Sequence, residues 1–120
     1  MDRRIFYLCE HLSRNLEYQW TVEEMSEILK LSVRHFQKLF KSEVKSSPMN
    51  YLRDMRLEKA RQLLANADSF LTIKEIRLAV GILNDSHFTR DFKKKYGVTP
   101  TEYRKGFWDK IQTENEIGKK

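Results

Sequence analysis

One cysteine in 120 residues leaves no disulfide within the chain. Cys9 lies among Leu8, Leu12 and Leu16 on an amphipathic stretch, which suits a small core residue better than a nucleophile. No run approaches the roughly 20 consecutive apolar residues of a membrane span, and Met1-Asp2-Arg3-Arg4 is not followed by the apolar stretch of a signal peptide. The expected location is the cytoplasm, with no membrane partner. Also missing are a glycine-rich phosphate loop, a cysteine–histidine nucleophile pair and a metal-ligand cluster of recognisable spacing. His35 and His87 have no cysteine or carboxylate near them at zinc spacing. These absences argue against an enzyme, a bound metal and a cofactor.

What the chain has is charge. Its 23 Lys and Arg outnumber 17 Asp and Glu for a net charge of +6, and this attracts a polyanion, either nucleic acid or an acidic membrane surface, without choosing between them. Hydrophobic residues make up 40% and charged ones 33%, enough to bury a modest core beneath a strongly polar surface. The length suits one domain, or two small helical subdomains sharing a connector.

Apolar residues at three- and four-residue steps predict the elements. Ile5, Leu8, Leu12 and Leu16 give a first helix over about 3–17. Thr21-Val22-Glu23-Glu24 has the pattern of a capping box and opens a short helix through Met25, Ile28 and Leu29. Ser32 caps a third helix to about Val44, with Phe36, Leu39 and Phe40 inward and Arg34, Gln37, Lys38 and Lys41 outward. Two helices so close in sequence suggest a helix-turn-helix. Ser47-Pro48 starts a longer helix to about residue 66 that is apolar on more than one face, as a connector packed on both sides would be. Asn66 to Ser69 reads as the loop that ends it. Thr72-Ile73-Lys74-Glu75 is a second capping box, leading a helix that stops near Gly81. Asn84, Asp85 or Ser86 caps the next helix, through Phe88, Phe92 and Tyr96 to Gly97, and Thr99-Pro100 opens a terminal helix over about 100–110. Residues 111–120 read as a polar, frayed tail.

The halves repeat. His35-Phe36 falls on His87-Phe88, Phe40-Lys41 on Phe92-Lys93, Pro48 on Pro100 and Tyr51 on Tyr103, all at the 52-residue separation of Phe36 from Phe88. Upstream, Val22 with Ile73 and Met25 with Ile76 match at 51, so the second unit has one extra residue in its turn. A helical solenoid generally needs three or more copies, and only two are present. The fold class expected is all-α: a seven-helix tandem helix-turn-helix domain over 1–110, with heads at about 21–44 and 72–96 joined by a long linker helix at 48–66.

The strings Ser47-Pro48-Met49-Asn50-Tyr51-Leu52, Arg56-Leu57-Glu58-Lys59-Ala60, and Phe92 to Arg104, including Tyr96-Gly97-Val98-Thr99-Pro100, resemble the signature of the AraC/XylS DNA-binding domain. Their order and spacing cover roughly residues 5–108. The resemblance implies seven helices, two helix-turn-helix heads and a cytoplasmic bacterial transcription regulator that sets two recognition helices in successive major grooves of promoter DNA. RNA polymerase is a further implied partner. Either a sensing or dimerising domain elsewhere in a longer protein or a small stand-alone regulator fits the resemblance, and the isolated domain is expected to be monomeric. The chain departs from the pattern at Lys45 and Ile82, and at Ser26 and Arg77, where a small alanine is common. Arg77, and Asp91 in the second recognition helix, predict a second head that packs differently or binds more weakly.

Base edges in the major groove present donor and acceptor patterns that helix side chains distinguish. On the resemblance, Arg34, Gln37 and Lys38 are the base-facing positions of the first head and Ser86, His87, Thr89 and Arg90 those of the second, with Asp85 also outward. Arginine or lysine suits guanine O6/N7 and glutamine suits adenine. Lys41 and Lys93 lie a turn further and suit phosphate, as do the helix starts at Thr21, Ser47, Thr72 and Thr99. Capping explains those four starts equally well, and a solvated helix face is the bland account of each charged side chain. Arg53, Arg56 and Arg61 either meet phosphate or pair with Asp54 and Glu58; structural pairing is favoured for Arg56. The competing function is a basic helical module that docks an acidic protein partner.

Overall fold

The structure, a computed structural model, describes residues 1–66 and 69–118, with side chains described through residue 110 and at 112. Among these residues the backbone forms seven α-helices and no strand: α1 Arg3–Ser13, α2 Val22–Ile28, α3 Val33–Val44, α4 Pro48–Leu64, α5 Ile73–Ala79, α6 Asp85–Tyr96 and α7 Pro100–Gly118. The all-helical, seven-helix expectation is met.

Local chemistry sets most boundaries. Thr21 and Thr72 each form a complete capping box, with Glu24 and Glu75 at the third helical position. Ser32 and Asn84 cap α3 and α6 by accepting from the amides of His35 at 3.1 Å and His87 at 2.9 Å. Pro48 and Pro100 occupy first helical positions, where the missing N–H costs nothing. Two ends differ from expectation. The first helix stops at Ser13 rather than near 17, because the Asn15 side-chain amide donates to the His11 carbonyl at 2.9 Å and the chain turns there. Leu16 is still buried, from the loop. The terminal helix passes residue 110 and continues to Gly118, through the first part of the segment read as a tail; Lys119 and Lys120 lie outside the described residues. So do Ala67 and Asp68 of the loop expected after α4.

The chain divides into two compact units, Met1–Arg56 and Leu57–Lys120, and the boundary falls within α4. In the first unit Ile5, Leu8 and Leu12 of α1, Met25 of α2, Phe36 and Phe40 of α3 and Leu52 of α4 form one core. Cys9 packs at its edge, and desolvation raises its thiol pKa, which suits packing rather than nucleophilic chemistry. In the second unit Leu57, Ala60 and Leu64 of α4 meet Ile76, Val80, Phe88 and Phe92. Leu39, expected inward, is only half-buried beside the first core.

Two arginines of α4 are structural. Arg56 is buried, but its partners are not Asp54 and Glu58: Nε donates to the Leu16 carbonyl at 2.9 Å and Nη2 to that of Tyr18 at 2.7 Å. These bonds tie down the loop after α1, whose carbonyls have no helical donors. Arg61 pairs with Glu58 through Nε at 3.0 Å and reaches the Tyr103 hydroxyl at 3.1 Å, while the Tyr96 hydroxyl donates to Glu58 at 2.8 Å. The Arg61 guanidinium, then the Tyr96 hydroxyl, hold the Glu58 carboxyl down at about 2.

Left-handed backbone follows α3 and α6 alike, at Lys45 with φ 66° and Gly97 with φ 84°. Lysine tolerates this conformation poorly, while glycine adopts it freely. Lys45→Gly is therefore expected to raise stability, and Gly97→Ala to lower it, each by about 1 kcal/mol in urea unfolding. A Cβ at Gly97 meets nothing within 4 Å, so the loss there would report backbone strain alone.

Glu58 gives the acid dependence. Its folded pKa is depressed, so its contribution is present above the unfolded carboxylate range and is lost as pH falls through about 2. Because 41% of its side chain is exposed, solvent screens the pair and the effect is modest. Thermal melts between about pH 4.5 and 2 should fall less steeply for Glu58→Gln than for the parent chain.

Candidate nucleic-acid interface

Each unit fixes a helix by two phenylalanines four residues apart. Phe36 and Phe40 are buried with ring centroids 5.8 Å apart, and Phe88 and Phe92 repeat the arrangement at 5.8 Å. With that stripe inward, α3 turns Arg34, Gln37, Lys38 and Lys41 to solvent. No hydrogen bond or ion pair engages these four side chains among the described residues. Ser32, Arg34, His35 and Lys38 line a shallow depression at the start of the helix.

On α6 Ser86, His87, Arg90 and Lys93 are exposed, as are Asp85, Lys94 and Lys95, with Thr89 half-buried. The charge is laid out differently from α3. Arg90 Nε lies 3.1 Å from Asp91 Oδ1, Asp85 stands exposed at the helix start, and Lys93, Lys94 and Lys95 crowd the last turn. Lysines at the end of a helix interact favourably with its negative pole.

The four helix starts separate into two kinds. At Thr21, Thr72 and Thr99 the hydroxyl accepts from an amide at 3.1–3.2 Å, and Glu24, Glu75 or Glu102 accepts from the threonine's own N–H at 3.1 Å. Three carboxylates thus stand where a phosphate would have to approach. Ser47 accepts from the Asn50 amide at 3.2 Å with no carboxylate in its cap.

The turns that aim the two helices differ. In the first unit the Leu31 amide donates to the Ser26 carbonyl at 3.0 Å, and the buried Ser26 hydroxyl donates to the Glu23 carbonyl at 2.8 Å. In the second, the Ile82 amide donates to the Arg77 carbonyl at 3.0 Å, the same bond in the repeat register. The extra residue is therefore Leu83, between Ile82 and the cap Asn84. Arg77 supplies what the longer turn lacks: its Nη1 donates to the carbonyls of Ile82 at 3.0 Å and Leu83 at 2.6 Å. Sequence reasoning treated the arginine and the extra residue as separate departures; the change of repeat offset between Ile76 and Phe88 was the signal that joins them. Ile76 beside Arg77 remains fully buried, so the arginine does not pry the short helix from the core.

A short capped helix, a tight turn and a second capped helix with a polar outer face, formed twice, define a tandem helix-turn-helix domain. A family model described as a helix-turn-helix domain matches residues 25–106. The chain belongs to the AraC-type helix-turn-helix family of transcription regulators. It is 31% identical over 104 residues to the HTH-type transcriptional regulator MtrA of Neisseria gonorrhoeae, covering 87% of this chain and 34% of that protein. The chain spans about a third of the length of the curated relatives it matches, with shares of 34%, 30% and 39%. Among solved structures, the C-terminal domain of the response regulator YesN from Fusobacterium nucleatum is 30% identical with a TM-score of 0.76, over 86% of this chain and 99% of that one. The DNA-binding domain of AdpA in complex with a target DNA shares the fold, with a TM-score of 0.84 at 22% identity over 91% and 96% of the two chains.

Arg77→Ser should destabilise the second unit by about 2–4 kcal/mol, since two carbonyls lose a charged donor. Deleting Leu83 in that background restores the length of the first unit's turn and should recover part of the loss. Additive losses in a double-mutant cycle by urea unfolding would show that the arginine and the extra residue are independent.

Proposed function

We propose that the chain binds duplex DNA sequence-specifically as the DNA-reading part of a transcription regulator. One observation carries this reading: in both units an inward phenylalanine pair leaves the start of a capped helix bearing exposed hydrogen-bonding side chains, Arg34, Gln37 and Lys38 on α3 and Ser86, His87 and Arg90 on α6. An α-helix fits the major groove, and such side chains match base-edge patterns there. The family and the DNA complex of AdpA favour this reading over docking of an acidic protein. No helix among the described residues is long and apolar enough to cross a membrane.

Arg34, Gln37, Lys38, Ser86, His87, Thr89 and Arg90 read bases, Thr89 from its half-buried position, and Lys41 and Lys93 meet phosphates. Among the helix starts, Ser47 is the better phosphate anchor, because Thr21, Thr72 and Thr99 each keep a glutamate in the cap. The two reading helices present different side chains, so the preferred site is asymmetric and is bound by one chain.

Selection from a random duplex pool should yield an asymmetric site bound one-to-one in sedimentation. Lys41→Ala should weaken specific and random duplexes alike and reduce the slope of log affinity against log salt by about 0.9. Arg34→Ala should instead cost about 1–3 kcal/mol on the selected site and relax preference at one base position. Binding to a polyglutamate competitor with equal affinity and no duplex preference would replace this reading with the acidic-partner one.

A further inference from the structure

The buried guanidinium of Arg77 does more than hold the turn. Its side chain is 9% exposed, and its Nε–H, wholly enclosed, has no hydrogen-bond partner. The acidic oxygen it faces is Asp85 Oδ1 at 3.7 Å, too long for a hydrogen bond and close enough for an ion pair. Asp85 is the first residue of α6, and its side chain is 76% exposed. One face of the carboxylate thus looks toward a buried cation that needs an acceptor, and the other toward solvent at the start of the helix. The corresponding place in the first unit holds Val33, and Arg77 is matched there by Ser26. Only the second unit carries this pair.

We propose that Arg77 is a positioning residue for specificity: it braces Leu83 and holds the Asp85 carboxylate at the entry of α6, where Asp85 accepts from the N4 amino group of a cytosine in the major groove. This rests on the DNA-reading function above. A carboxylate near DNA is repelled by phosphates, and a neighbouring buried cation offsets that charge locally. It also removes rotamer freedom from an exposed aspartate, so that less ordering remains to be done on binding. Oδ1 is directed to Arg77, which leaves Oδ2 for the base. Cytosine is the base that presents a donor without an adjacent purine acceptor in the major groove, and a carboxylate can only accept. The second head would then select by an acceptor at its leading edge, whereas the first selects by the donors of Arg34 and Lys38.

The test compares site selection from a random duplex pool by the parent chain, Asp85→Asn, Arg77→Met and Arg77→Lys, followed by titration of duplexes that differ at the one base pair affected. Asp85 is exposed, so Asp85→Asn should fold as the parent does. The parent is expected to prefer cytosine at that position by about tenfold or more. Asp85→Asn should shift the preference to adenine, whose N6/N7 edge suits an amide. Arg77→Met should lose the cytosine preference while keeping the first head's base preferences, and Arg77→Lys should restore part of it, an outcome that a purely structural role for the turn does not produce. An unchanged selected site for Asp85→Asn overturns the inference even if all variants bind DNA tightly. Failure of the parent to bind any duplex overturns the DNA-reading function itself.

Discussion

The phenylalanine pair on the inner face of each reading helix decides where every polar side chain on that helix points. Burying one such ring is worth about 1.5–3 kcal/mol. Turning α3 by one residue, or 100°, would carry Phe36 and Phe40 out of the core together and bring a charged side chain toward it. That loss is a large share of the 5–15 kcal/mol that holds a typical domain folded. The rotational phase of the helix is therefore fixed from within, and Arg34, Gln37 and Lys38 can be whatever a ligand requires. The same holds for Phe88 and Phe92 on α6.

Rotation is only half of the aim; the turn before the helix sets its direction. The two units solve that problem with different chemistry. The first uses a short turn, a small buried Ser26 whose hydroxyl bonds its own helix, and a left-handed Lys30 at φ 56°. The second uses a left-handed Gly81 at φ 88°, one more residue, and a buried arginine that collects the added carbonyls. A serine cannot reach those carbonyls, and without the arginine they would lose a charged donor. The arginine thus bonds the very residue that lengthens the turn.

Features set within a few residues were legible in the sequence. The capping boxes at Thr21 and Thr72 and the proline starts at Pro48 and Pro100 are local, and the phenylalanine stripes follow from helical period alone. What the sequence did not reveal depends on contacts closed over distance. Arg56 has carboxylates two residues to either side, at Asp54 and Glu58, yet its buried guanidinium bonds carbonyls 40 and 38 positions back in the loop after α1. Glu58 likewise finds the Tyr96 hydroxyl across 38 positions. The end of α1 was misplaced because the side chain of Asn15 competes with the helix ladder, a choice that hydrophobic period does not register. The outward faces of α3 and α6 were readable as faces; the layout of charge along α6 was not, since the pairing of Arg90 with Asp91 and the link from Arg77 to Asp85 are properties of the fold.

That layout gives the two heads different physical tasks on the proposed function. Among the described residues the cations at the start of α3 have no hydrogen-bond or ion-pair partner, so a phosphate or a base edge competes there chiefly with water. On α6 the cation nearest the start, Arg90, is already beside Asp91, and a ligand must displace or share that contact. The lysines of α6 lie in its last turn, where they also stabilise the helix pole. Attraction to a polyanion then falls chiefly to the first head. The second gains less from charge, and so the fit of its side chains to particular bases makes up more of whatever affinity it contributes. Discrimination depends on what is lost with the wrong base rather than on what is gained everywhere. A weakly attracting head with an acceptor at its leading edge is suited to that task, and the features that weaken its general attraction are the ones that make it selective.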